Sequence, residues 1–183
     1  KMPLVEIIKG ENTSAETLAK AYDYVQQIGK TPIVVNDSRG FFTSRVFGTF
    51  IQEGLHLLAE GVHPARIEMA ALKAGMPIGP LAIQDEVSLT LTEHIAGETR
   101  KALQAEGKTL PITQVDDVIK TMIHTFERKG KAAGAGFYEY PEGGKKHLWD
   151  GLSHWAKEVD ISEQEMIDRF LFVQSLDTLR CYE

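Results

Sequence analysis

Apolar positions repeat with period two at the start of the chain and with a period near 3.6 through most of the rest. Leu4-Val5-Glu6-Ile7-Ile8 reads as a strand. Thr13 followed by Glu16 has the spacing of a capping box, in which hydroxyl and carboxylate satisfy two orphan backbone N–H groups. The stripe Leu18, Ala21, Tyr22, Val25 and Ile28 then predicts a helix that Gly29 ends. Pro32 to Val35 reads as a second strand, so the first 35 or so residues resemble the tail of an α/β sheet.

Beyond Asp37 the pattern is mainly helical. Phe41 to Glu60 is apolar nearly all round (Phe42, Val46, Phe47, Phe50, Ile51, Leu55, Leu58), which predicts a core helix, and Gly61 stops it. A short helix runs from Pro64 to Gly75. Gly79-Pro80 breaks the chain before a helix with Ile83, Val87, Leu91 and Ile95 at steps of four. Val115, Val118, Ile119, Met122, Ile123 and Phe126 form the cleanest amphipathic pattern. The glycine-rich Gly130–Gly136 loop leads into Phe137-Tyr138-Glu139-Tyr140-Pro141, and Pro141 to Lys146 reads as a surface loop or linker. A last helix opens with Ser162 and Glu165, a second capping box. Its pattern can be laid over the Arg45–Glu60 helix, Arg169 on Arg45 and Leu179 on Leu55, at an offset of 169 − 45 = 124. The chain is expected to begin and end inside structural units.

Composition narrows the classes. A length of 183 residues, 43% hydrophobic and 25% charged, is that of a globular chain of one or two domains. Net charge −6 leaves no basic field for phosphates, which argues against non-specific nucleic-acid binding. No run approaches the roughly 20 apolar residues of a membrane span. The single cysteine, Cys181, excludes an internal disulfide and suits a reducing, cytoplasmic compartment. Six histidines show no ligand spacing, so no metal site is expected.

Glu6 is the first candidate for chemistry. Period two places it on the strand face of Leu4 and Ile8. It is either an edge charge that discourages aggregation or a buried carboxylate that orients a basic partner. Ser44, after Gly40-Phe41-Phe42, can cap, bond back to a carbonyl, or reach a ligand; no GxSxG context marks it as a nucleophile. Met76-Pro77-Ile78-Gly79-Pro80 is a stiff apolar loop that fixes helix geometry or walls an apolar cleft. The Gly130–Gly136 loop has neither a Walker sequence nor a GxGxxG turn and reads as a helix-to-strand connection, with Lys131 its only charge.

Four segments in order, Leu4–Gly10, Gly40–Arg45, Gly75–Pro80 and Gly134–Tyr140, resemble the 3-hydroxyacyl-CoA dehydrogenases. Within that family the likeness is to α-subunits of multifunctional fatty-acid β-oxidation enzymes, which join a hydratase part, a dehydrogenase part and two helical C-terminal repeats. The resemblance implies that residues 1–36 are a remnant of the NAD-binding domain, 37–141 the first helical C-terminal domain, and 142–183 a linker with the start of a second repeat. The implied fold class is mainly α, a helical domain preceded by a strand–helix–strand remnant of a Rossmann domain. The implied reaction is NAD-dependent oxidation of a 3-hydroxyacyl-CoA to a 3-oxoacyl-CoA. In the family a histidine removes the hydroxyl proton and a glutamate in the next strand holds that histidine; Glu6 stands at the glutamate's place, making it the catalytic candidate. The histidine, expected in an HFF-type motif before Lys1, and the dinucleotide turn are not in this sequence. Ser44 stands where the family commonly has a substrate-binding asparagine within GF-x-x-NR, and Lys131 lies one residue before the position of a family lysine.

The implied partners are an acyl-CoA and a thiolase subunit. Isolated, this stretch is expected to be inactive and to self-associate. A non-catalytic helical dimerisation module is the alternative; a short-chain 3-hydroxybutyryl-CoA dehydrogenase is disfavoured by the Pro141–Glu183 tail.

Overall fold

The computed structural model describes residues 2–182. Among them are seven α-helices and two two-stranded sheets. The order is β1 (Leu4–Lys9), α1 (Ala15–Gln27), β2 (Thr31–Asn36), α2 (Thr43–Glu60), α3 (Pro64–Lys73), α4 (Pro80–Val87), α5 (Leu89–Ala105), α6 (Gln114–Lys120), β3 (Tyr138–Glu139), β4 (His147–Leu148) and α7 (Glu163–Tyr182). The architecture is mainly α behind a strand–helix–strand, as the periodicities imply. Two compact units divide the chain: the first reaches through Thr49 and takes up the chain again from Gln174, and the second spans Phe50–Val173.

In the first unit β1 and β2 pair in parallel, Leu4 opposite Thr31 and Glu6 opposite Ile33. Parallel neighbours need a crossover, and α1 supplies it. Its cap is one residue later than the expected box. Ser14 accepts from the Thr17 N–H (3.1 Å), while the Thr13 hydroxyl accepts from the Gly10 N–H (3.1 Å). Glu16 reaches Lys20 instead (2.6 Å).

The helix expected from Phe41 begins at Thr43. Gly40 and Phe41 both have positive φ, 80° and 50°, and form the turn that feeds it. Glycine tolerates that region; phenylalanine there is strained and persists only where the surroundings hold it. Burial along α2 begins at Phe50, so the all-apolar pattern marks a core helix over its second half only.

The second unit holds the main core: Phe50, Leu55, Leu57, Leu58, Ile67, Leu81, Leu89, Met122, Phe137, Leu152, Met166 and Phe170 are almost fully excluded from solvent. The long helix expected through Ile83 and Ile95 is two helices. Ser88 takes φ 77° between them, and the Leu89 N–H turns away to the Lys129 carbonyl (3.1 Å). The stripe fails with it, because Leu91 and Ile95 are about half exposed (46% and 53%). The Val115–Phe126 stripe does pack inward, α6 ending in a wide π-type turn over Thr121–Thr125. At α7 the Glu165 N–H donates to the Ser162 hydroxyl (3.1 Å), one of the two bonds of the expected capping box.

Candidate functional site

Glu6 lies half-buried on β1, and both its carboxylate oxygens are engaged at the start of α2. Oε1 accepts from the N–H groups of Phe42 and Thr43, each at 2.9 Å. Oε2 accepts from the Thr43 hydroxyl at 2.6 Å. Among the described residues it is therefore neither a loose edge charge nor one side of an ion pair. The first N–H groups of any helix lack intrahelical partners, and that end carries positive partial charge. Glu6 satisfies two of those donors across a gap of 36 and 37 residues. The Gly40–Phe41 turn presents them.

Burial alone would raise the Glu6 pKa. The Thr43 hydroxyl and the Thr43 and Phe42 N–H groups outweigh it, and the carboxyl is held below its usual range. None of these influences is a neighbouring charge. Leu4 and Ile8, on the same strand face, are 38% and 42% exposed.

Ser44 occupies the next position of α2 and is exposed. It does not cap the helix, since Glu6 does so from another element. Its hydroxyl makes no hydrogen bond among the described residues. The first unit also contains a cleft of about 520 Å³ lined by Val34, Asn36, Phe42, Arg45, Arg180 and Tyr182, among others. Phe42 thus borders the cleft while its N–H holds Glu6. Arg45, also in the lining, is doubly bonded to Asp177 (Nε and Nη2, both 3.0 Å).

In the second unit Lys131 is ion-paired with Glu86 (2.6 Å) at a half-exposed position. The Met76–Pro80 loop sets helix spacing: Gly54 comes so close that a Cβ there would lie 2.3 Å from the Pro80 ring. Sequence reading missed a polar network in this unit. Asp85, 1% exposed, accepts from the Phe137 N–H (2.8 Å), the Tyr138 N–H (2.9 Å) and the Tyr140 hydroxyl (2.8 Å). Buried Glu68 accepts from the Leu81 N–H (2.8 Å) and the Tyr138 hydroxyl (2.6 Å). Burial pushes both carboxyls up, only partly offset by these donors. Arg128 threads the same segment, donating to the Gly136 and Tyr138 carbonyls and lying 4.3 Å over the Trp149 ring. The available signal was an acid inside an apolar helix (Glu68 among Ile67, Ala70 and Ala71), which demands internal donors.

Residues 40–140 match the family model described as 3-hydroxyacyl-CoA dehydrogenase, C-terminal domain. Residues 1–38 match the model described as 3-hydroxyacyl-CoA dehydrogenase, NAD binding domain. The chain belongs to the 3-hydroxyacyl-CoA dehydrogenase family. Among its relatives is the fatty acid oxidation complex subunit alpha of Shewanella halifaxensis, 39% identical over 160 residues, 87% of this chain and 20% of that protein. The solved 3-hydroxybutyryl-CoA dehydrogenase of Escherichia coli K12 superposes with TM-score 0.63 at 28% identity, covering 81% of this chain and 30% of that one. The (S)-3-hydroxybutyryl-CoA dehydrogenase of Ralstonia eutropha gives TM-score 0.64 at 29% identity, covering 76% and 48%. The chain thus spans a fifth of the curated relative's length and under half of either solved enzyme.

The family's dinucleotide can be tested against the residues present. Such a site needs a turn of several glycines after a strand, so that backbone approaches the pyrophosphate. The β1–α1 turn has one, Gly10, whose N–H is already committed to Thr13, and acidic Glu11 follows it. These residues do not form that site. Among the described residues, no cluster of histidine, cysteine or acidic side chains is placed to hold a metal, and no helix is long and apolar enough to cross a membrane.

Proposed function

We propose that this chain is the junction of an NAD-dependent 3-hydroxyacyl-CoA dehydrogenase. Residues 1–36 would be the last part of the dinucleotide domain, 37–141 the first helical domain, and 142–183 a linker and the opening of a second helical repeat. The whole protein would oxidise a 3-hydroxyacyl-CoA to the 3-oxoacyl-CoA, with the dinucleotide held outside these residues.

One observation carries this reading: the fixed carboxylate of Glu6 on the strand that matches the family's dinucleotide domain. An ionised carboxylate offers about four acceptor positions. Phe42 and Thr43 use three, two on Oε1 and one on Oε2. One acceptor direction on Oε2 is left for a single donor. An imidazole N–H suits it: the carboxylate would fix the tautomer and stabilise the imidazolium formed when the substrate hydroxyl gives up its proton. A carboxyl kept ionised by its hydrogen bonds can do this over a wide pH range. Ser44, exposed one residue beyond, is the substrate-facing candidate; Phe42 borders a cleft that could take part of the acyl-CoA.

The test is NADH formation from NAD and a 3-hydroxyacyl-CoA by the full-length protein, with and without Glu6→Gln. The variant should lose on the order of 100-fold in kcat. Undiminished turnover in Glu6→Gln would remove the assigned role, and a full-length protein inert toward every 3-hydroxyacyl-CoA would remove the reading. The isolated 183 residues should give no NADH; appreciable turnover would contradict the division of the site. They should also self-associate through the exposed Leu4, Ile8 and Val34 of the parallel pair, and light scattering showing only monomer at high concentration would count against this. The relative's membership in a fatty acid oxidation complex motivates a thiolase partner, testable by co-purification. The free Cys181 suits a cytoplasmic location, which cell fractionation would check.

A further inference from the structure

We infer that Thr43 is a positioning residue for Glu6, its hydroxyl setting the plane of the carboxylate and so the direction of the remaining acceptor position on Oε2. The inference rests on the role proposed for Glu6 above. The last torsion of a glutamate is broad and sets no plane by itself. The Phe42 and Thr43 N–H groups both meet Oε1, so together they hold one oxygen and leave the group free to pivot about it. The Thr43 hydroxyl, 2.6 Å from Oε2, is the contact that stops the pivot.

Threonine suits this use. Its β-branched side chain has few χ1 choices, so the hydroxyl is presented by a stiff arm from the first residue of α2. Two hydroxyl residues stand side by side there, and they differ. The Thr43 hydroxyl is committed to Glu6, whereas Ser44 is exposed. The first can position the acid while the second meets a ligand. The strained Phe41 and left-handed Gly40 just before them aim the same pair of N–H groups. The depressed proton affinity of Glu6 agrees with three donors and no charged neighbour.

The experiment is a carboxyl carbon-13 NMR titration of the 183-residue chain, the Glu6 resonance being assigned by its loss in Glu6→Gln. Thr43→Val keeps the shape and branching of threonine and removes the donor; Thr43→Ser keeps the donor. Thr43→Val should make Glu6 bind its proton about tenfold more tightly, one pH unit of midpoint. Thr43→Ser should stay within about twofold of wild type, since its hydroxyl still reaches a charged acceptor. An unchanged Thr43→Val titration would overturn the inference. So would a Thr43→Ser midpoint displaced as far as that of Thr43→Val, because the methyl group and not the hydroxyl would then control the acid. This readout needs no turnover, so a failure of the dehydrogenase reading shows separately, as Glu6→Gln enzyme with undiminished activity.

Discussion

Replacing Asp85 should unfold the second unit more readily, in an order that separates hydrogen bonding from charge. The side chain lies on α4 and receives three donors: two backbone N–H groups, Phe137 and Tyr138, and the Tyr140 hydroxyl. Phe137 is fully buried, and Gly136 sits so close that a Cβ there would lie 2.0 Å from Oδ1. Asp85→Ala leaves all three donors without a partner. A buried unsatisfied donor costs about 1–3 kcal/mol, and water can reach half-buried Tyr138 and Tyr140 in part, so about 3 kcal/mol is expected in all. Asp85→Asn should cost less. Its oxygen still accepts from Phe137, and the Tyr140 hydroxyl can rotate to accept from the new amide. Only the Tyr138 N–H faces a donor, which puts the cost at about 2 kcal/mol.

Urea unfolding followed by tryptophan fluorescence measures this directly. Both tryptophans, Trp149 and Trp155, belong to the second unit, so the signal reports that unit alone. An Asp85→Ala protein within about 0.5 kcal/mol of wild type would refute the accounting, as that is the range of surface substitutions. Asp85→Asn and Asp85→Ala proteins of equal stability would show that the charge beside Arg128, which both substitutions remove, and not acceptor satisfaction, is what matters.

Other outcomes follow from the same geometry. Glu68 has its proton affinity raised by burial, so its folded form favours the protonated state; the stability this gives is present at acid pH and lost as pH rises through the folded pKa. Glu68→Gln should therefore gain on wild type as pH rises from about 4.5 to 8, and parallel unfolding curves across that range would refute it. Glu60 is the opposite case. Hydrogen bonding to Arg169, with both guanidinium contacts at 2.7 Å, lowers its pKa, giving stability present above the usual carboxylate range and lost as pH falls through the folded value. Arg169→Met should lose about 1–3 kcal/mol at neutral pH, with the deficit narrowing on acidification; a deficit independent of pH would sink the assignment.

What was legible in the sequence was whatever one element decides alone. The strand with Glu6, the crossover helix and the inward Val115–Phe126 face follow from period and punctuation, and they are where the pattern puts them. The breaks were less legible, because a long-range partner makes them. Nothing local says that helix 80–95 must turn at Ser88; the Lys129 carbonyl takes the Leu89 N–H 40 residues later (129 − 89 = 40). The site shows the same division. Glu6 is marked by a charge on an apolar strand, whereas its partners at Phe42 and Thr43 lie across the crossover and are fixed by a positive-φ phenylalanine that no propensity scale anticipates. Ser44 stood out by its place in the motif, but the residue before it makes the contact.

The repeat at offset 124 shows what a sequence pattern does and does not transfer. In the first unit Arg45 pairs with Asp177; in the second Arg169 reaches Glu53 as well as Glu60. Arg169 is Arg45 displaced by 124, and Asp177 is Glu53 displaced by the same step (177 − 53 = 124). Each arginine therefore meets an acid at the position equivalent to the other's partner. Chance likeness between amphipathic helices gives apolar spacing, but it does not supply two reciprocal ion pairs, so the ionic positions support the repeat more strongly than the apolar cluster that suggested it. The apolar positions behave differently. Leu55 is fully buried, while its equivalent Leu179 is 56% exposed. Charge pairing depends on the one facing helix and is met here in both halves. Burial of an apolar side chain depends on everything packed around it, and among the described residues Leu55 has that surrounding and Leu179 does not.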